Sequence, residues 1–294
     1  MTAAPEPVAL RSSRLIAECA PQLGGRLSGL RRLGPQGERD VLTPLPAWGD
    51  VAWRWPKGGA YPLIPYSNRI RNAILMRDEG PLALKPHPDA APHTLHGHAQ
   101  LRPWRVLTQD TASASFGLDH DGDDDWPWPF AARQVVSVED DELRLTLSLA
   151  NTGDEMCPAG LGWHPYLACA PGSFVRCDAR RRWRHDADYV ATGETEPYRG
   201  PEGDTDYLSD WSVATLVHAD GETGTLTADP AFGHLVLHRP ASAAYVCVEP
   251  VTHVGDAFNL GVRGFKGTGA VDLAPGATLA GEIRMRFASA GAAP

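Results

Sequence analysis

The 294-residue sequence contains no stretch approaching the ~20 consecutive apolar residues that a membrane-spanning helix requires. Its first residues, MTAAPEPVALRSSRL, lack the apolar core of a signal peptide, so a cytoplasmic setting is expected. Positive charge is in short supply. Against 36 Asp and Glu stand 27 Lys and Arg, a net charge of −9, and such a field repels phosphate backbones and anionic lipid. Neither nucleic acid nor a membrane surface is an expected partner. Cysteine is scarce as well: Cys19, Cys157, Cys169, Cys177 and Cys247 are scattered and form no C-x-x-C pair, which argues against a disulfide framework or a zinc ribbon. There is no H-E-x-x-H, no G-x-x-x-x-G-K-[ST], no G-x-S-x-G and no complete G-x-G-x-x-G, so zinc-protease, nucleotide-binding and serine-hydrolase readings have no support.

What the sequence does have is apolar material and turns. Hydrophobic residues make up 43%, enough for a packed core, and 30 glycines and 26 prolines favour turns over long helices. The dominant local signal is period-2 alternation. In Glu142 to Asn151 (ELRLTLSLAN), Leu143, Leu145, Leu147 and Leu149 face one way and Arg144, Thr146 and Ser148 the other, the pattern of a half-buried strand. The β-branched run Arg133 to Val138 precedes it across Glu139-Asp140-Asp141, and the two predict an antiparallel hairpin. Similar runs recur at His234 to His238, Ala244 to Glu249 and Gly281 to Phe287, while no Pro- and Gly-free window carries a helical apolar stripe. The expectation is an all-β fold, a large antiparallel β-sandwich with few short helices. With no Gly/Ser or charged linker, residues 1–294 are expected to form a single domain. The acidic segment Asp119 to Phe130 resembles a calcium loop only in its first spacings; its sixth position is Asp124 and its twelfth Phe130, so a solvated loop is expected.

Four segments place polar residues in apolar, stiff surroundings. In Tyr61 to Ala73 (YPLIPYSNRIRNA), Asn68 and Arg69 follow a proline-stiffened run, and Arg69 is set either to donate forked hydrogen bonds to a ligand oxygen or to pair with a structural carboxylate. In His93 to Trp104, an H-x-H on a strand would put His96 and His98 on one face, as in metal-binding jelly rolls, but Ala99 to Arg102 supply no further ligand. A neutral imidazole donating to a polar ligand is the reading for His96, and satisfaction by core backbone that for His93 and His98. His164, between Trp163 and Pro165, suits general acid or base work or a structural role. Glu249 ends an apolar strand, where desolvation raises a carboxyl pKa; it is either a general base or half of a buried ion pair.

Taken in order, YPLIPYSNRI, LHGH followed by PW, WPWPF, NTGD…PAGLGWHPY and EPVTHVGDAFN resemble the aldose 1-epimerase (mutarotase) family, in the branch near the galactose mutarotase-like proteins, over roughly Gly24 to Phe287. That resemblance implies a mutarotase-type supersandwich with a sugar bound in an open cleft on one sheet. It implies Glu249 as catalytic base, His164 as catalytic acid, and His96 and Arg69, with Asn68 beside it, as sugar-binding residues. An Asp on the sugar hydroxyls is implied near Asp206 or Asp210, of which Asp206 is taken. It implies two proton transfers that interconvert the anomers of an aldohexose, and no metal and no cofactor is expected. His98 departs from the commonest pattern, which leaves the sugar open, and the oligomeric state is not legible. The cluster Trp126, Trp128 and Phe130 is either a stacking face for a sugar or core. Two other readings stay beside this one: a hexose-phosphate mutarotase using Arg69, Arg71 and the Arg180 to Arg184 run, and a non-catalytic sugar-binding module on the same fold.

Overall fold

The computed structural model describes residues 7–34, 37–45 and 56–290; the first six residues, part of the segment read for a signal peptide, lie outside the described residues. The expected hairpin is present and longer than its β-branched stretch alone suggests. Phe130–Glu139 pairs antiparallel with Glu142–Asn151 across Asp140-Asp141, because the in–out alternation continues back through Ala132 to Phe130. The four leucines Leu143, Leu145, Leu147 and Leu149 are at most 1% exposed. Each such burial contributes about 1.5–3 kcal/mol, which fixes the register, since a slip of one residue would turn all four to solvent.

Among the described residues, strands assemble mainly into an 11-stranded and an eight-stranded antiparallel sheet. The hairpin belongs to the smaller sheet, together with the long strand Thr278–Ala288. The larger sheet has at its centre the neighbouring strands Ala60–Leu63, Gly162–Ala168, Tyr245–Val251, His234–His238 and Thr205–Ser209. The core between the sheets combines the leucines of the hairpin with Leu208, Leu235, Leu237, Val246 and Val248. The remaining parity of the same central strands forms a second cluster on the other face, Tyr61, Tyr166, Tyr207, Val236 and Cys247 among it. This sheet is therefore covered on both sides, and its second face is where polar groups enter.

Helix is nearly absent, as the sequence predicts: the one α-helix among the described residues is Ala257–Val262. Among them no helix is long and apolar enough to cross a membrane. The acidic loop is held by arginines, with Asp119 paired to Arg105 and Arg133, and Asp123 to Arg102. Trp126 and Phe130 are core residues, each 0% exposed.

Candidate active site

Strand register builds the site floor. Gly162 pairs with Val251 and Tyr166 with Cys247, a frame that sets His164 opposite Glu249 on adjacent strands. Pro165 and Pro250 follow these two residues, and neither can donate to the ladder. His164 Nε2 and Glu249 Oε1 lie 3.4 Å apart, with both side chains at most 4% exposed. On the next strands the same parity brings forward Val236 and His238, then Tyr207 and Thr205. Together they line a cavity of about 210 Å³ whose wall also includes Lys57, Asn68, Arg69, His96, Tyr166, Tyr189 and Tyr245.

The second wall comes from two loops, and its backbone is strained. Asn68 and His96 both have positive φ, 57° and 62°, a conformation in which Asn is comparatively tolerated and His is uncommon. They hold each other there: the His96 N–H donates to the Asn68 carbonyl at 2.9 Å, and the Asn68 N–H donates to His96 Nδ1 at 3.1 Å. With Nδ1 accepting, the neutral ring carries its hydrogen on Nε2 and is a donor. Gly97 follows at φ 64°, where a Cβ would stand 2.2 Å from the Ile64 carbonyl oxygen; this close approach is why LHGH contains a glycine. Asn68 Oδ1 accepts from the Arg69 N–H at 2.8 Å, and the EPVTH segment braces the loop from beneath, with His253 Nε2 accepting from the Ser67 N–H at 3.2 Å.

The electrostatics follow from burial. Desolvation pushes the Glu249 carboxyl up to about 8, against the pull of Lys57 and Arg69. Desolvation likewise holds His164 and His96 well below the ordinary histidine range; Lys57 adds to this at His164, and His164 itself adds to it at His96. The His164 ring lies near-parallel to both Tyr61 and Tyr166, each centroid 4.8 Å away, and the Arg26 guanidinium lies 4.4 Å from the Tyr61 centroid. Arg69 lies 5.3 Å from the centre of the Tyr189 ring.

Of the residues singled out from sequence, Glu249, His164, His96, Arg69 and Asn68 line this cavity. Asp206 does not, and the reason is parity. Thr205 and Tyr207 face the cavity, so Asp206 shares the opposite face with Leu208, where it accepts from Arg182 at 3.0 Å and Arg239 at 2.7 Å. Asp210 pairs with Arg181 on the surface. The H-x-H expectation is also corrected: the strand there is only Thr94–Leu95, and the left-handed turn at His96 sends His98 elsewhere, with its ring 4.7 Å from that of His120. Trp128 lines an open groove of about 840 Å³ with Arg77, Glu155 and Met156, away from Glu249 and His164. Unforeseen from sequence were Lys57, Tyr166, Tyr189, Thr205, Tyr207, His238 and Tyr245. Strand alternation was the available signal for some of them: within AYVCVE, Tyr245 and Cys247 share the face of Glu249, and within HLVLH, His238 shares that of Val236. Among the described residues, one group of His, Cys and acidic side chains has the geometry to hold a metal ion. It comprises His164, Cys247 and Glu249, with ligand atoms within 4.8 Å of one another.

Comparison with known proteins bears on this cavity and fold. Escherichia coli K12 protein YphB is 26% identical over 149 residues, 51% of this chain and 50% of that protein, so the match spans about half the length of the relative. An aldose epimerase homologue from C. elegans superposes with a TM-score of 0.82 at 18% identity, over 97% of this chain and 99% of that one. A galactose mutarotase-like protein from Clostridium acetobutylicum gives 0.82 at 16%, over 96% and 94%. At such identities the structures establish the shared β-sandwich fold. The model of the aldose 1-epimerase family matches residues 13–222, and the chain belongs to that family.

Proposed function

We propose that the protein interconverts the α and β anomers of an aldohexose, with Glu249 and His164 as its proton-transfer pair. The observation that carries this reading is the pair itself, two buried titratable groups 3.4 Å apart at the floor of a sugar-sized cavity. Opening a pyranose ring requires removal of a proton from the anomeric hydroxyl and delivery of one to the ring oxygen bound to the same carbon. The C1–O5 bond then breaks with its electron pair going to O5, and a free aldehyde forms. Rotation about C1–C2 and reclosure, with the two groups exchanging roles, yields the other anomer.

A pair holding one proton is what this cycle needs. Burial raises Glu249 and lowers His164, so near neutrality the pair holds that proton on Glu249 and the imidazole is neutral. With Glu249 as base and His164 as acid, the proton passes to His164 when sugar binds, and the Tyr61 and Tyr166 faces stabilise the imidazolium. Arg69 and the His96 Nε2–H supply donors to sugar oxygens, where they stabilise developing negative charge.

Most of the cations read for a sugar phosphate are committed to carboxylates elsewhere, while Arg69 lines the cavity with Lys57. Of the cationic run, Arg181 is paired with Asp210, Arg182 with Asp206 and Glu202, and Arg184 with Glu196; Arg71 is paired with Asp186. A non-catalytic module would need no acid and base side by side. Polarimetry or anomer-resolved NMR of freshly dissolved α-D-glucose, α-D-galactose and glucose 6-phosphate tests the proposal with wild type and Glu249→Gln. Acceleration that falls by about 10²–10⁴ in the variant is expected. Unchanged acceleration in Glu249→Gln, or saturable binding with none in folded wild type, would sink it.

A further inference from the structure

Cys247 has no part in the proton transfers proposed above. It is fully buried and stands two residues before Glu249 on the same face of Tyr245–Val251. Its register partner is Tyr166, so it lies diagonal to His164 across the strand pair. A thiol, an imidazole and a carboxyl thus converge from two adjacent strands, one ligand atom from each, all within 4.8 Å.

The spacing and the donor types select a class of ion. Zinc bonds of roughly 2.0–2.3 Å to N, O and S put the ligand atoms of a tetrahedral site roughly 3.2–3.8 Å apart. The 3.4 Å between His164 and Glu249 already satisfies this, and the Cys247 sulfur, within 4.8 Å of both, would have to move toward them to complete the set. A nitrogen, sulfur and oxygen set suits zinc or cobalt(II), whereas magnesium and calcium prefer oxygen alone. His164 and Glu249 line the cavity, which leaves the fourth position for water or a sugar hydroxyl.

We infer that the floor of the cavity is a binding site for a thiophilic divalent cation of the zinc class, held by His164, Cys247 and Glu249, and that the ion acts as an inhibitor. Binding stands on ligand geometry and is independent of the reaction. Inhibition rests on the anomerisation proposed above, because the ion occupies the lone pairs that move the protons. Lys57 and Arg69 in the cavity wall repel the ion, so the affinity is moderate.

The test reads binding apart from turnover. Full-length, reduced, metal-free protein is titrated with cobalt(II) chloride. One equivalent is expected to give a thiolate-to-cobalt charge-transfer band in the near ultraviolet with the visible bands of a four-coordinate ion, and zinc chloride bleaches both. In Cys247→Ala the charge-transfer band is lost and zinc affinity falls at least about tenfold, with the far-ultraviolet circular dichroism unchanged; Cys247→Ser gives the same result should the alanine protein fold poorly. Absence of the band in wild type, or a band and zinc affinity undiminished in both Cys247 variants, overturns the site. A separate arm adds zinc to the mutarotation assay. Binding without slowing would leave the site standing and overturn inhibition, while absence of mutarotation in metal-free wild type would count against the proposed function alone.

Discussion

At the scale of single residues, burial displaces two neighbouring pKa values in opposite directions, Glu249 upward and His164 downward. With their polar atoms 3.4 Å apart, Glu249 and His164 are expected to titrate as one unit, and the form proposed to be active carries one proton between them. The sign follows from the count. As pH rises through about 8, the value to which burial pushes Glu249, the pair loses its only proton and no acid remains. As pH falls, a second proton arrives on a His164 that burial holds well below the usual histidine range, and no base remains. The pH profile of kcat/KM is therefore expected to show a plateau extending below pH 6.5, with an alkaline limb near 8. A limb near pH 6.5, where an exposed histidine titrates, would show that the pair is not coupled in this way.

At the scale of elements, strand parity decides which polar residues face the cavity and which hold the fold. Asp206 lies in the strand Thr205–Ser209 between two cavity-facing residues, and its carboxylate is committed to Arg182 and Arg239 with 1% exposure. Removing its charge leaves those two cations short of a partner. A fully buried pair costs about 3–5 kcal/mol to break, and because Arg239 reaches solvent, Asp206→Asn is expected to lose about 2–3 kcal/mol. Urea denaturation measures that loss, and kcat at a temperature where the variant stays folded should be that of wild type. A selective fall in kcat would return Asp206 to the site. Much of this was legible in sequence: alternation foretold the hairpin, and polar residues in stiff apolar segments pointed to Glu249, His164, His96, Arg69 and Asn68. What could not be read was register between distant strands, which sets His164 opposite Glu249, and the left-handed turn at His96, which separates it from His98. Both arise from tertiary contacts, such as Gly97 against Ile64, that no local periodicity encodes.

At the scale of the whole molecule, the cavity lies on one face of the larger sheet while that sheet's other face packs on the smaller one. Val246 and Val248 belong to the inter-sheet core, and Cys247 and Glu249 between and beside them face the cavity side. The geometry of the His164–Glu249 pair is thus anchored through a single strand to leucines of the other sheet. We expect the two sheets to unfold together as one domain, and the consequence is measurable far from the cavity. Leu147 is fully buried in the smaller sheet, and Leu147→Ala should cost about 2–5 kcal/mol through lost transfer energy and the void left behind. In native-state hydrogen exchange, the slowest amides of Glu142–Asn151 and of Tyr245–Val251 should then lose the same free energy, because each exchanges only through global opening. Were the second strand to keep its wild-type protection while the first lost it, the sheets would be separate cooperative units, and the site would owe its rigidity to the larger sheet alone.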